Sequence, residues 1–89
     1  RSKMIVVRVF GIWRERLGLA CVQLDSHGVG RIEQVFEELA RASGGRVSVD
    51  ELRYSAVLVN GCQVTWHRAL RHPLEDGDEV ALISPAGGG

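Results

Sequence analysis

The chain has 89 residues, 45% of them hydrophobic and 25% charged, which suits one globular domain whose core needs neither metal nor disulfide staples. Lysine plus arginine balances aspartate plus glutamate at 11 each, so the strong charge bias of a nucleic-acid or membrane-surface protein is excluded. No apolar run reaches the roughly 18 residues needed to cross a bilayer, and no signal peptide is recognisable.

Met4 reads as the natural start, with Arg1-Ser2-Lys3 an added remnant. Met4 to Phe10 is rich in β-branched residues and predicts a strand. Ile5, Val7 and Val9 share one face, and Val6, Arg8 and Phe10 share the other. Arg8 suits a core badly, so the odd-numbered face is expected inside. Phe10 then stands as an aromatic on the charged face. Gly11 to Ala20 reads as a long turn, with Arg14-Glu15-Arg16 on its surface and Leu17 and Leu19 folding back. Cys21 to Leu24 reads as a short second strand, with Val22 and Leu24 inward, pairing antiparallel with the first.

Arg31 to Ala42 is the one clear helix. Ile32, Val35, Phe36 and Leu39 follow one-face spacing, while Glu33, Glu37, Glu38 and Arg41 face water. Its start lacks a good cap, because Gly28-Val29-Gly30 offers no side-chain acceptor and Ser26 comes early. Gly44 or Gly45 supplies the left-handed stop. Arg46 to Leu52 fits either a loop or a short strand.

Asn60-Gly61, between Ser55–Val59 and Cys62–Val64, is the strongest hairpin signal. The pair suits the two left-handed positions of a type I′ turn. Val57 and Val59 are expected inward, with Ala56 and Leu58 on the open face. Trp66 to Leu70 suits a single helical turn with Leu70 plugging the core. Leu74 to Glu79 is a tight turn in which Gly77 takes a positive φ. It feeds a last strand with Val80 and Leu82 inward and Ala81 and Ile83 outward, which Pro85 ends because it has no N–H to donate.

This order predicts an α+β β-grasp fold: a mixed sheet of four to five strands around one main helix, with the first and last strands parallel at its centre. A ferredoxin-like fold would need a second helix of about ten residues, and Gln63 to Leu74 lacks the periodicity for one. The domain is expected to span residues 4–85, with residues 86–89 a flexible glycine-rich tail.

Leu58-Val-Asn-Gly61, followed by Leu74-Glu-Asp-Gly-Asp-Glu-Val-Ala-Leu-Ile-Ser-Pro-Ala-Gly-Gly-Gly89, resembles the ubiquitin-like sulfur carriers. Among them it looks most like the small subunit of molybdopterin synthase, with the thiazole-biosynthesis carrier further off. The resemblance runs from the Met4 strand to Gly89. It implies that the carboxylate of Gly89, behind Gly88, is adenylated by an E1-like activating enzyme and converted to a thiocarboxylate. The sulfur would then pass to the large catalytic subunit of molybdopterin synthase, making the chain the sulfur-donating subunit of a two-subunit enzyme. Other acceptors in thiazole, cysteine or tRNA thiolation remain open, as does a non-reactive β-grasp interaction module. Two departures stand out: the family commonly has Pro-Pro where this chain has Ser84-Pro85, and a Thr or Ser cap where it has Gly30. Gly87 adds a third glycine.

A carboxylate takes up sulfur poorly, so activation by ATP and Mg²⁺ is assigned to the partner; this chain is expected to bind no cofactor itself. Extended residues reach about 3.3 Å each, so Ala86 to Gly89 spans roughly 13 Å, enough to enter a buried active site. Glycines lack Cβ and can thread a narrow channel. Ordering four residues costs on the order of 1–2 kcal/mol each, which a docking surface must offset. Phe10, Leu58, Ala81 and Ile83 are expected to form that surface, with Pro85 and Gly87 beside it. A blander reading covers part of the patch with the Gly11–Ala20 loop. Arg8, alongside, suits either a partner carboxylate or solvent.

His27, His67 and His72 show no zinc spacing, and Asp76-Gly-Asp78 lacks the other ligands of a calcium loop. Cys62 has no base placed beside it. Cys21 and Cys62 share no motif and read as free, largely buried thiols of a reducing compartment. Trp13 and Trp66 read as wet-sided caps on a small core. The chain is expected to be a cytoplasmic monomer when alone, with neither nucleic acid nor membrane as partner.

Overall fold

Seven residues of alternating burial, Met4–Phe10, form strand β1. The computed structural model describes residues 4–64 and 66–84, without the side chains of residues 66–68. After β1 come helix α1 (Ile12–Leu17), strand β2 (Cys21–Asp25), helix α2 (Ile32–Ala42) and helix α3 (Val49–Leu52). Strand β3 (Ala56–Val59), strand β4 (Cys62–Gln63), a 3-10 helix over Trp66–Arg71 and strand β5 (Glu79–Ile83) complete the order. The sheet runs β2-β1-β5-β3-β4, with β1 parallel to β5 and the other pairs antiparallel. This is the expected β-grasp arrangement. Parallel neighbours need a long connection, and every other element lies between them in sequence.

The alternation sorts the strands as read. Ile5, Val7, Val80 and Leu82 are fully buried, and Val9, Val57 and Val59 nearly so. Ile32, Val35, Phe36 and Leu39 of α2 close the same core. Val22 and Leu24 on edge strand β2 are half-buried and pack against it. Asn60 and Gly61 take φ values of 53° and 83°, the two positive values that a type I′ hairpin demands. The Asn60 side chain also ties this turn to β5, donating to Asp78 and accepting from the Glu79 amide, each at 2.9 Å.

Five expectations change. Gly11 to Ala20 is not a plain turn: α1 fills it, closed by Gly18 at φ 75°. Trp13 and Leu17, four apart, make its buried face. Trp13 is consequently no wet-sided cap. It is 3% exposed, and its indole N–H donates to the Ser55 hydroxyl at 2.7 Å. Arg46 to Leu52 carries α3, opened by a capping box in which the Ser48 hydroxyl accepts from the Glu51 amide and Glu51 accepts from the Ser48 amide. The core plug after β4 is Ala69 together with Leu74, both 8% exposed, rather than the half-buried Leu70. Cys21 and Cys62 are free but exposed, because both sit on edge strands of the sheet.

The poor start of α2 is made good partly by its own Gln34 and partly from outside the helix. Gln34 reaches back to accept from the Gly30 and Arg31 amides at 2.6 and 3.0 Å. The Ile32 amide donates to the His72 carbonyl, and the Leu74 amide to the Gly30 carbonyl. A tertiary contact thus satisfies donors that no N-cap side chain serves. Gly44 and Gly45 both take positive φ after the last turn.

Candidate functional site

The face of the sheet away from α2 carries the even residues of β1 and β3 and the odd residues of β5. Register places Phe10 beside Ile83, and Ile83 beside Ala56. One step along, Arg8 lies beside Ala81, and Ala81 beside Leu58. The four residues expected to form a patch therefore lie on three neighbouring strands. Phe10 is 41% and Ile83 39% exposed, while Leu58 and Ala81 are half-buried between their neighbours. Residues 11–20 leave the two large side chains open, since α1 turns its apolar face to the core.

Arg8 has its partner within the chain. Its guanidinium forms an ion pair with Glu79, which shares the face from β5. The hydrogen bond to Glu79, and then its charge, hold Arg8 above its ordinary value, so the guanidinium stays charged. Both side chains are about half exposed, and the pair forms a polar margin to the apolar patch.

Ile12 and Tyr54 join Phe10 and Ile83 as the exposed large apolar side chains among the described residues. Ile12 follows β1 by two residues, and Tyr54 precedes β3 by two. All four therefore gather at one end of the sheet, the end at which β5 finishes. Nothing in the spacing of Tyr54 signals this. Ile12 lies out of phase with the buried Trp13–Leu17 face, which is a readable sign once α1 is recognised.

Ser84 closes the described chain at that same end. Its hydroxyl accepts from the Ile12 amide at 3.0 Å, and its own amide donates to the Phe10 carbonyl at 3.4 Å. Gly11, between those partners, has φ 71°, and a Cβ there would collide with the Ser84 hydroxyl. In the sequence Ser84 stands out only as a departure from Pro-Pro, because a bond between residues 72 positions apart leaves no local pattern. Pro85, Gly87, Gly88 and Gly89 lie outside the described residues.

At the opposite end, Asn60, Cys62, His72, Glu75 and Asp78 line an open groove of about 650 Å³. Among the described residues, no three His, Cys, Asp or Glu side chains come together in a way that could hold a metal ion. Among the described residues, no helix is long and apolar enough to cross a membrane.

The family model described as the ThiS family matches residues 7–89, a span that includes the glycine-rich end. No curated protein matches. The solution structure of small archaeal modifier protein 1 from Methanosarcina acetivorans superposes with a TM-score of 0.75 at 18% identity, over 100% of this chain and 99% of that one. Urm1 from Trypanosoma brucei gives 0.65 at 24% identity, over 100% and 98%. A complex of subunits 1 and 2 of the molybdopterin-converting factor from Helicobacter pylori gives 0.61 at 22% identity, over 97% and 99%. Identities this low establish a shared fold, while the family match spans nearly the whole chain. The chain belongs to the ThiS family, with the fold of the ubiquitin-like sulfur carriers.

Proposed function

We propose that this protein carries sulfur on the carboxylate of Gly89. The observation that supports this most is that the ThiS family match extends through residue 89 and so takes in Gly87-Gly88-Gly89. A carboxylate oxygen of Gly89 attacks the α-phosphorus of ATP in an E1-like enzyme, pyrophosphate leaves, and an acyl-adenylate forms. A persulfide then attacks the carbonyl carbon and AMP departs. A second thiol of the enzyme attacks the enzyme-side sulfur of this acyl disulfide, so that an enzyme disulfide forms and the thiocarboxylate leaves. The partner supplies the electrostatic stabilisation and Mg²⁺ for these steps. This chain supplies the reacting group, the reach of the tail, and the apolar surface of Phe10, Leu58, Ala81 and Ile83 on which the partner docks, with Pro85 and Gly87 passing alongside.

The acceptor in this reading is the large catalytic subunit of molybdopterin synthase. Its support is the fold shared with subunit 1 of a molybdopterin-converting factor solved together with its subunit 2. The reading places the protein in the cytoplasm, where its two exposed, unpaired cysteines stay reduced. Intact mass after incubation with ATP, the activating enzyme and a sulfur donor tests the chemistry. Exchange of one oxygen for one sulfur adds about 16 Da, and this gain is expected for the whole chain and lost on deletion of Gly88 and Gly89. Gly87→Ala is expected to be mild. No gain, or an equal gain without Gly89, refutes the carrier reading. Sulfur delivered to a thiazole, cysteine or tRNA system but not to molybdopterin synthase would reassign the acceptor alone.

A further inference from the structure

We infer that Ser84 is a positioning residue, whose hydroxyl on the Ile12 amide fixes the root from which the tail is presented to the activating enzyme. The inference rests on the carrier reading and concerns how that chemistry is delivered. Three contacts meet at this point. The Ser84 hydroxyl accepts from the Ile12 amide at 3.0 Å, the Ser84 amide donates to the Phe10 carbonyl, and Gly11 leaves room for the hydroxyl by lacking a side chain. Gly11 is required twice over, because its φ of 71° also suits glycine. The Ile12 amide opens α1 and has no acceptor within that helix, so the Ser84 hydroxyl gives it one.

The lock sits at the last described residue, directly before Pro85 in the chain. Ser84 precedes Pro85, and a residue before proline is confined to extended backbone, so Ser84 has little freedom left once its hydroxyl and amide are held. In the carrier reading the partner orders residues 85–89 as it takes them in, and a root fixed beforehand lowers that ordering cost, a gain that appears as affinity. The position is also surrounded by exposed apolar side chains: Phe10, Ile12 and Ile83 flank the root. A partner that takes in the tail therefore meets the lock and the apolar rim together.

Ser84→Ala and Ser84→Thr, tested with the full chain and its activating enzyme, separate positioning from a structural cap. Ser84→Ala is expected to raise KM for the carrier about 3- to 10-fold with kcat little changed, the signature of lost preorganisation. Ser84→Thr, which keeps the hydroxyl, is expected to restore KM. Exchange of the Ile12 amide, followed by NMR in the free protein, is expected to accelerate in the alanine variant and recover with threonine. A structural cap alone would lower the melting temperature and the active fraction without moving KM. If wild type gains the 16 Da and Ser84→Ala matches its KM, the positioning role is overturned while the carrier reading stands. If wild type gains no mass, both fall together, whatever the Ile12 exchange shows.

Discussion

Phe36 gives the sharpest test of how the core is built. It is the largest fully buried side chain among the described residues, 1% exposed, and belongs to the α2 stripe that closes the core over β1, β3 and β5. Truncation to alanine removes about 100 Å² of apolar surface from the core, worth about 2.5 kcal/mol at 25 cal/mol per Å². A residual cavity of about 80 Å³ adds about 2 kcal/mol at 24 cal/mol per Å³, and partial collapse of the walls reduces it. The expected loss is therefore about 3–5 kcal/mol. A domain of this size has about 4–13 kcal/mol in total, so at the low end of that range the variant is close to unfolded. Urea denaturation followed by far-UV circular dichroism measures the midpoint and slope. Phe36→Leu, expected to cost roughly 1 kcal/mol, keeps the position measurable if the alanine variant does not fold. A loss below about 1 kcal/mol for Phe36→Ala, at unchanged slope, would refute the assignment of Phe36 to the centre of the core.

The other predictions concern the surface. Phe10→Asp or Ile83→Asp is expected to weaken binding to the activating enzyme by about 2 kcal/mol, with the melting curve nearly unchanged; unchanged affinity by calorimetry would move the docking surface elsewhere. Glu51 is held below its ordinary value first by the hydrogen bond from Arg16 and then by the Ser48 amide. Because folding makes Glu51 harder to protonate, its contribution is complete above its unfolded value of 4.5 and is lost as pH falls through the lower folded value. Glu51→Gln is expected to flatten the loss of stability below about pH 4.5. Identical acid-unfolding profiles for variant and wild type would show that the Arg16–Glu51 contact carries no linkage.

Much of the fold was legible because its signals are local. Strand alternation in Met4–Phe10 and Val80–Ile83, the one-face spacing of α2 and the Asn60-Gly61 turn each depend on a few adjacent residues, and all appear as read. The same local grammar also encodes α1 and the start of α3. Ser48-Val-Asp-Glu51 is a capping-box pattern, and Trp13 with Leu17 has helical spacing between Gly11 and Gly18. The glycine-rich end was equally plain, and with the Leu74–Gly89 stretch it pointed to the family now matched over residues 7–89.

Tertiary structure decided which of these local pieces meet. Burial of the Trp13 indole depends on Ser55, 42 residues away. Arg8 suits a partner carboxylate or solvent equally until β5 is laid beside β1 and brings Glu79 to it. The first turn of α2 is completed by the carbonyl of His72, and the root of the tail is held by the amide of Ile12. Each of these contacts joins a polar group to a partner far along the chain. Periodicity reports which face of an element is apolar, because burial acts on one residue at a time. A hydrogen bond or ion pair needs two groups at a set distance, and that distance exists only after the sheet has fixed the order and register of its strands.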